Sequence, residues 1–129
     1  MRLEKYTKDN YCEISKWWNG HSGWSAVPED VLPDTGFVVF DGHTPLAAGF
    51  IYNDTTSSLG MMEWIVANPE NSARQSLKSL MVLIEGMTKY ADSIGLKLYA
   101  SIQNAGLEKL YNKYGFITTD KNMISMVRG

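Results

Sequence analysis

Between Met61 and Ile102 the sequence changes its periodicity twice, and those changes dictate most of the topology. Met61–Ala67 (MMEWIVA) is nearly continuous in apolar residues, the pattern of a strand buried on both faces. Asn68-Pro69 closes it. From about Ser76 to Ile94, Leu77, Leu80, Ile84, Met87, Ala91 and Ile94 recur at intervals of three and four, which predicts one buried stripe on a long helix. Gly95 stops that helix. Leu96 to Ile102 then alternates: Leu96, Leu98, Ala100 and Ile102 to one side, Lys97, Tyr99 and Ser101 to the other. Strand, helix and strand at this spacing make a βαβ unit, so the two strands are predicted to be parallel with a right-handed crossover.

Upstream, the signals are antiparallel. Leu3–Tyr6 reads as a short strand, and Thr7, Asp9 or Asn10 can cap a helix through Tyr11, Ile14, Trp17 and Trp18 that ends at Asn19-Gly20. His21 to Pro33 is irregular, with Pro28-Glu29-Asp30 suited to the first turn of a small helix. Gly36–Phe40 and Pro45–Tyr52 are strands joined by a hairpin signal at Asp41-Gly42, and Asn53–Gly60 is a second turn. After Ile102 come a helix over about Gly106–Tyr114 and a last strand, Met123–Val127. The expected fold class is α/β (α+β): one domain over residues 1–129, a mixed central sheet flanked by helices.

A chain of 129 residues can bury a core without staples, and Cys12, being alone, excludes an internal disulfide or a multi-cysteine metal site. A net charge of −2 without a basic run argues against nucleic acid as the main partner, and no apolar run is long enough to cross a bilayer. The polar N-terminus, MRLEKYTKDNYCEI, is unlike a signal peptide, so the expected location is cytoplasmic.

The stretch Asn104–Phe116 (NAGLEKLYNKYGF) adds a motif to this pattern. It resembles the segment N-x-x-A-x-x-L-Y-x-K-x-G-F of the GNAT superfamily of N-acetyltransferases, with Leu107 where that family usually has Ala. The order of elements matches as well, so the resemblance covers nearly the whole chain and is most specific over residues 61–116. It implies that the two parallel strands splay apart, that acetyl-CoA is the co-substrate, and that its pantetheine arm pairs with the backbone of the first of them. It implies acetyl transfer to a primary amine of a small molecule or protein by direct attack, with no metal required. A homodimer is compatible with it.

Residue by residue, the resemblance implies that Tyr111 protonates the departing sulfur, a role suited to a phenol that keeps its proton at neutral pH. The other reading is that Tyr111 packs its helix with Leu107, Leu110 and Tyr114. Asn104 would contact the pantetheine, cap the next helix, or do both. Glu63 is the candidate base, since apolar neighbours disfavour a charged carboxylate; the alternative is a solvated Glu on an open sheet face. His21 and His43 are weaker base candidates in turn-rich segments. Ile65, Val66 and Ala67 would act through their backbone groups, an N–H near Val66 polarising the thioester carbonyl.

The chain departs from the family at the phosphate loop. The pattern Q/R-x-x-G-x-G/A has no match: Gln75 can stand first, but Lys78 and Leu80 occupy the glycine positions. Starting at Arg74 puts Leu77 and Ser79 there, and counting from Pro69 starts the motif at Ser72, which implies a longer loop. Glycines let a backbone approach phosphate closely. Arg74 and Lys78, set where the helix dipole disfavours cations, with the hydroxyls of Ser72, Ser76 and Ser79, could take their place; ordinary solvated side chains are the plainer reading. The missing glycines also support a rival, a GNAT-fold binding or structural module without catalysis, such as a phage accessory protein. A second rival is a small α/β binding domain resembling the family by chance. Trp17, Trp18 and Trp24 would line the acceptor pocket or belong to the core.

Overall fold

The computed structural model describes residues 1–129. Strands β1 (Arg2–Lys5), β2 (Gly36–Asp41), β3 (Thr44–Asn53), β4 (Leu59–Ala67) and β5 (Lys97–Tyr99) form one sheet in that spatial order. The first three pairings are antiparallel and β4–β5 is parallel, as a crossover through a helix requires. Three helices complete the domain: α1 (Tyr11–Gly20), α2 (Ala73–Ser93) and α3 (Ala105–Lys113). Single 3₁₀ turns lie at Lys8–Asn10 and Glu29–Val31.

The strand alternation splits the core into two layers. Phe37, Val39, Ala47, Ile51 and Met62 point to the side of α2 and α3, against Leu83, Ile84, Met87, Leu110 and Tyr111. Val38, Ala48, Phe50 and Val66 point the other way, against Ile14, Trp17 and Trp18 of α1. Trp17 and Trp18 are therefore core, whereas Trp24 is exposed and stacks on His21 with ring centroids 4.9 Å apart. Gly95 (φ 70°) and Gly115 (φ 95°) end α2 and α3 in the left-handed region, where a side chain would be strained.

Four expectations need correction. First, β4 is not buried on both faces: Met62 and Val66 are buried, but Met61 and Trp64 are exposed, because α1 covers only the far end of the strand. Second, the stripe on α2 is buried only in its middle, with Leu77 and Ile94 exposed beyond the edges of the sheet. Third, β5 is three residues long, although the alternation from Leu96 to Ile102 persists beyond it. Fourth, Met123–Val127 forms no strand. A strand needs a partner edge, and no backbone hydrogen bond joins this segment to the sheet.

One glycine is required by packing. A Cβ on Gly49 would collide with the Ile65 side chain and stand 2.9 Å from Met87 Sδ, beneath α2. Gly49→Ala should cost roughly 1–3 kcal/mol. A lowered urea midpoint at unchanged slope would register it.

Candidate active-site cleft

The pairing of β4 with β5 runs Leu59↔Lys97, Gly60↔Leu98, Met61↔Tyr99 and stops. Beyond Met61, β4 continues to Ala67 with no partner on that side, so the two parallel strands part and leave an opening. A β-bulge explains the parting. Ala48 pairs with Val66 and Phe50 with Glu63, so Gly49 alone faces both Trp64 and Ile65. The extra residue puts Trp64 at φ 60° and bends and twists the strand.

Two titratable side chains flank the opening from opposite faces. Glu63 lies across from Phe50, which places it on the α1 side of the sheet. Burial pushes its carboxyl above the usual range, only partly offset by the Ser101 backbone and hydroxyl, in the segment that follows β5. Tyr111 sits among the α2-side core residues at 4 % exposure, its ring 5.1 Å from that of Phe116. Burial first, and the charge of Glu63 second, hold its phenol well above the usual range. The opening thus has a desolvated carboxylate on one face and a firmly protonated phenol on the other.

The start of α2 lies at the mouth of the opening. The turn Asn68–Ser72 is short and pinned to β3: Asn68 Nδ2 donates to Pro45 O at 3.2 Å and Asn71 Nδ2 to Leu46 O at 2.9 Å. Ser72 caps the helix, its Oγ accepting from Gln75 N at 3.1 Å while Gln75 Oε1 accepts from Ser72 N at 2.9 Å. The amides of Ala73 and Arg74 have no acceptor. The chain has two ion pairs, Arg2–Glu4 and Lys89–Glu85, so Arg74 and Lys78 are unpaired.

No family model and no curated protein matches the sequence. The fold, however, has close likenesses among solved structures. The ribosomal-protein-S18-alanine N-acetyltransferase of Escherichia coli matches at TM-score 0.76 over 92% of this chain and 79% of that one, at 14% identity. A putative acetyltransferase of the GNAT family from Novosphingobium aromaticivorans matches at TM-score 0.72 over 91% of this chain and 52% of that one, at 15% identity. The chain has the GNAT fold. N-acetylglutamate synthase from Neisseria gonorrhoeae, solved with coenzyme A and L-arginine, matches at TM-score 0.69 over 97% of this chain and 29% of that one, at 11% identity.

In this GNAT-fold chain the remaining sequence candidates fall into two groups. Near the opening lie Ile65, Val66 and Ala67, on the unpaired stretch of β4; Val66 is buried against α1, and the Ala67 carbonyl already meets His21 Nε2 at 2.9 Å. Asn104 caps α3, its Oδ1 accepting from Leu107 N at 2.8 Å, which leaves its amide NH₂ free to donate. The phosphate candidates fare differently. Ser76 is half-buried in the first turns of α2, and Arg74 and Lys78 are exposed and four residues apart. Gln75 is engaged in the capping box rather than turned to the mouth. Ser79 is fully buried, its hydroxyl donating to Ser76 O at 3.1 Å, so it cannot meet a phosphate. The connection is also shorter than the count from Pro69 implies, because the helix begins at Ala73. His43 lies exposed in the β2–β3 turn. Two neighbours of the site escaped the sequence reading. The alternation from Lys97 to Ser101 already put Ser101 beside the opening, while nothing in MMEWIVA marked Trp64 as the bulge.

Proposed function

We propose that this chain is an acetyl-CoA-dependent N-acetyltransferase acting on a primary amine by direct attack. The observation that carries the reading is the opening between β4 and β5 with Glu63 and Tyr111 on its two faces. The co-substrate supplies the activated acyl group. The unpaired edge of Met62–Ala67 offers backbone groups to an extended pantetheine arm, and Asn104 offers a donor on the α3 side. The free amides of Ala73 and Arg74, with the unpaired cations of Arg74 and Lys78 and the hydroxyl of Ser76, suit the phosphates. This arrangement replaces glycines by charge.

The proton balance follows from the two side chains. The amine nitrogen bonds to the acyl carbon as the carbon–sulfur bond breaks. Glu63, directly or through water, takes the proton the nitrogen must lose, and Tyr111 gives its proton to the sulfur. Return of a proton from Glu63 to Tyr111 resets the pair.

Thermal-shift titration with CoA and acetyl-CoA tests the reading, because a ligand of the native form raises the midpoint with its concentration. The double change Arg74→Ala with Lys78→Ala should weaken CoA binding about tenfold, equal to ~1.4 kcal/mol. Equal affinity in the two proteins would remove these cations from the site. A second reading, the non-catalytic module, draws on one specific observation: the capping box of Ser72 and Gln75 occupies the turn where a glycine-rich loop would open. An absent shift at millimolar CoA would favour it.

A further inference from the structure

Next to the opening, on the α1 side of the sheet, lies a row of side chains that no element covers. The register sets Tyr52, Met61 and Tyr99 side by side across β3, β4 and β5. Met61 and Tyr99 are each 42% exposed and Trp64 is 39% exposed. The bulge turns the indole toward this row, where Trp64 Nε1 donates to the Tyr52 hydroxyl at 2.7 Å, and that hydroxyl donates to Val31 O at 2.6 Å. The aromatic faces are thus held in place. Apolar side chains left side by side on an open sheet face, with their aromatic rings held by hydrogen bonds, suit the burial of an apolar ligand group. Its inner end is Glu63, two residues along β4 from Met61 and on the same face.

The charge around the row is one-sided. From Trp17 to Ala73, the stretch that supplies the last four residues of α1, the loop after it and strands β2–β4, there is no Lys or Arg, against seven Asp and Glu. The only cation that β3–β5 bring to this face is Lys97, opposite Leu59. Four residues separate Leu59 from Glu63, about 13 Å along a strand. An α-amino acid carries its carboxylate two bonds from its nitrogen. With that nitrogen at Glu63, the carboxylate would lie beside another carboxylate, with no Lys or Arg of β3–β5 nearer than Lys97 to balance it.

We propose that the acceptor is a small arylalkylamine, a primary amine a few carbons from an aromatic ring and free of carboxylate, whose ring lies on Trp64 and Tyr99 while its nitrogen sits at Glu63. The proposal rests on the acetyltransferase reading and narrows it. The acidic surroundings attract the ammonium form, which releases one proton to solvent before the neutral amine attacks, and the apolar row contributes through the ring area it removes from water.

The test compares 2-phenylethylamine with ethylamine, L-phenylalanine and spermidine as acceptors at saturating acetyl-CoA. The expected kcat/KM for 2-phenylethylamine exceeds that for ethylamine or spermidine by about 30-fold, the value of one buried ring, and that for L-phenylalanine by at least about tenfold, because its carboxylate would meet Glu63 unpaired. Trp64→Ala and Tyr99→Ala should each cut the ratio of 2-phenylethylamine to ethylamine about tenfold. A preference for phenylalanine or spermidine, or variants that leave the ratio unchanged, overturns the proposal. Should no amine be turned over, calorimetric binding of 2-phenylethylamine against ethylamine decides in the same way, with CoA present or, if CoA itself does not bind, without it. Loss of CoA binding with arylamine binding intact would overturn the acetyltransferase reading alone. CoA binding with no arylamine preference would overturn the acceptor class alone.

Discussion

Glu63→Gln should reduce kcat by about 10²–10⁴-fold and leave the protein at least as stable as the parent at neutral pH. Both outcomes have the same cause. The carboxyl sits where burial disfavours its charge, so its pKa in the fold is raised above the carboxylate range. As a base, that places its protonation closer to working pH, and kcat should fall as pH drops through the raised value, at higher pH than an ordinary carboxylate would give. In the Gln variant that limb should vanish. The sign for stability is opposite to that of a salt-bridged acid. A group whose folded pKa is raised contributes stability that is complete below its unfolded pKa and lost as pH rises through the folded one. Removing the charge relieves that loss, and Gln keeps an oxygen to accept from Ser101. Steady-state kinetics across pH, with a urea melt on both proteins, reads the two effects. A variant that is less active only because it is less stable would contradict the assignment.

Tyr111→Phe should lower kcat by about 10²-fold with KM for acetyl-CoA nearly unchanged. The substitution keeps the ring that packs against Phe116 at 5.1 Å and removes only the hydroxyl. Because burial and the charge of Glu63 hold the phenol well above its ordinary pKa, it stays protonated through the working range. Wild-type activity should therefore show no alkaline loss attributable to Tyr111. Full activity in the Phe variant would return Tyr111 to the core as a packing residue.

How far these sites were legible depends on which force sets each residue. The βαβ unit was legible because burial imposes a period, and the glycine stops because Gly95 and Gly115 need positive φ. The β2–β3 hairpin was legible because Asp41-Gly42 marks its turn, whereas its register and the two core layers emerge only from the structure. The helix α2 begins three residues before the expected Ser76, at Ala73, because the apolar stripe starts only at Leu77 while Ser72 and Gln75 form a capping box ahead of it. Ser79 lies four residues before Leu83 and eight before Met87, so it falls on the buried face of α2. The bulge was hidden for a different reason: MMEWIVA is apolar at nearly every position, so a one-residue slip changes no visible pattern. Met123–Val127 has strand composition without a strand, since composition does not supply a partner edge.

Trp64 holds an indole in a backbone conformation that glycine adopts freely, at a cost of roughly 1–3 kcal/mol. A selection for heat-hardened descendants of this protein would converge on glycine at that position. Those descendants would outlast their parent in a hot tube and carry a smooth, faceless strand beside the opening. Endurance and discernment pull against each other there, at a single pair of torsions.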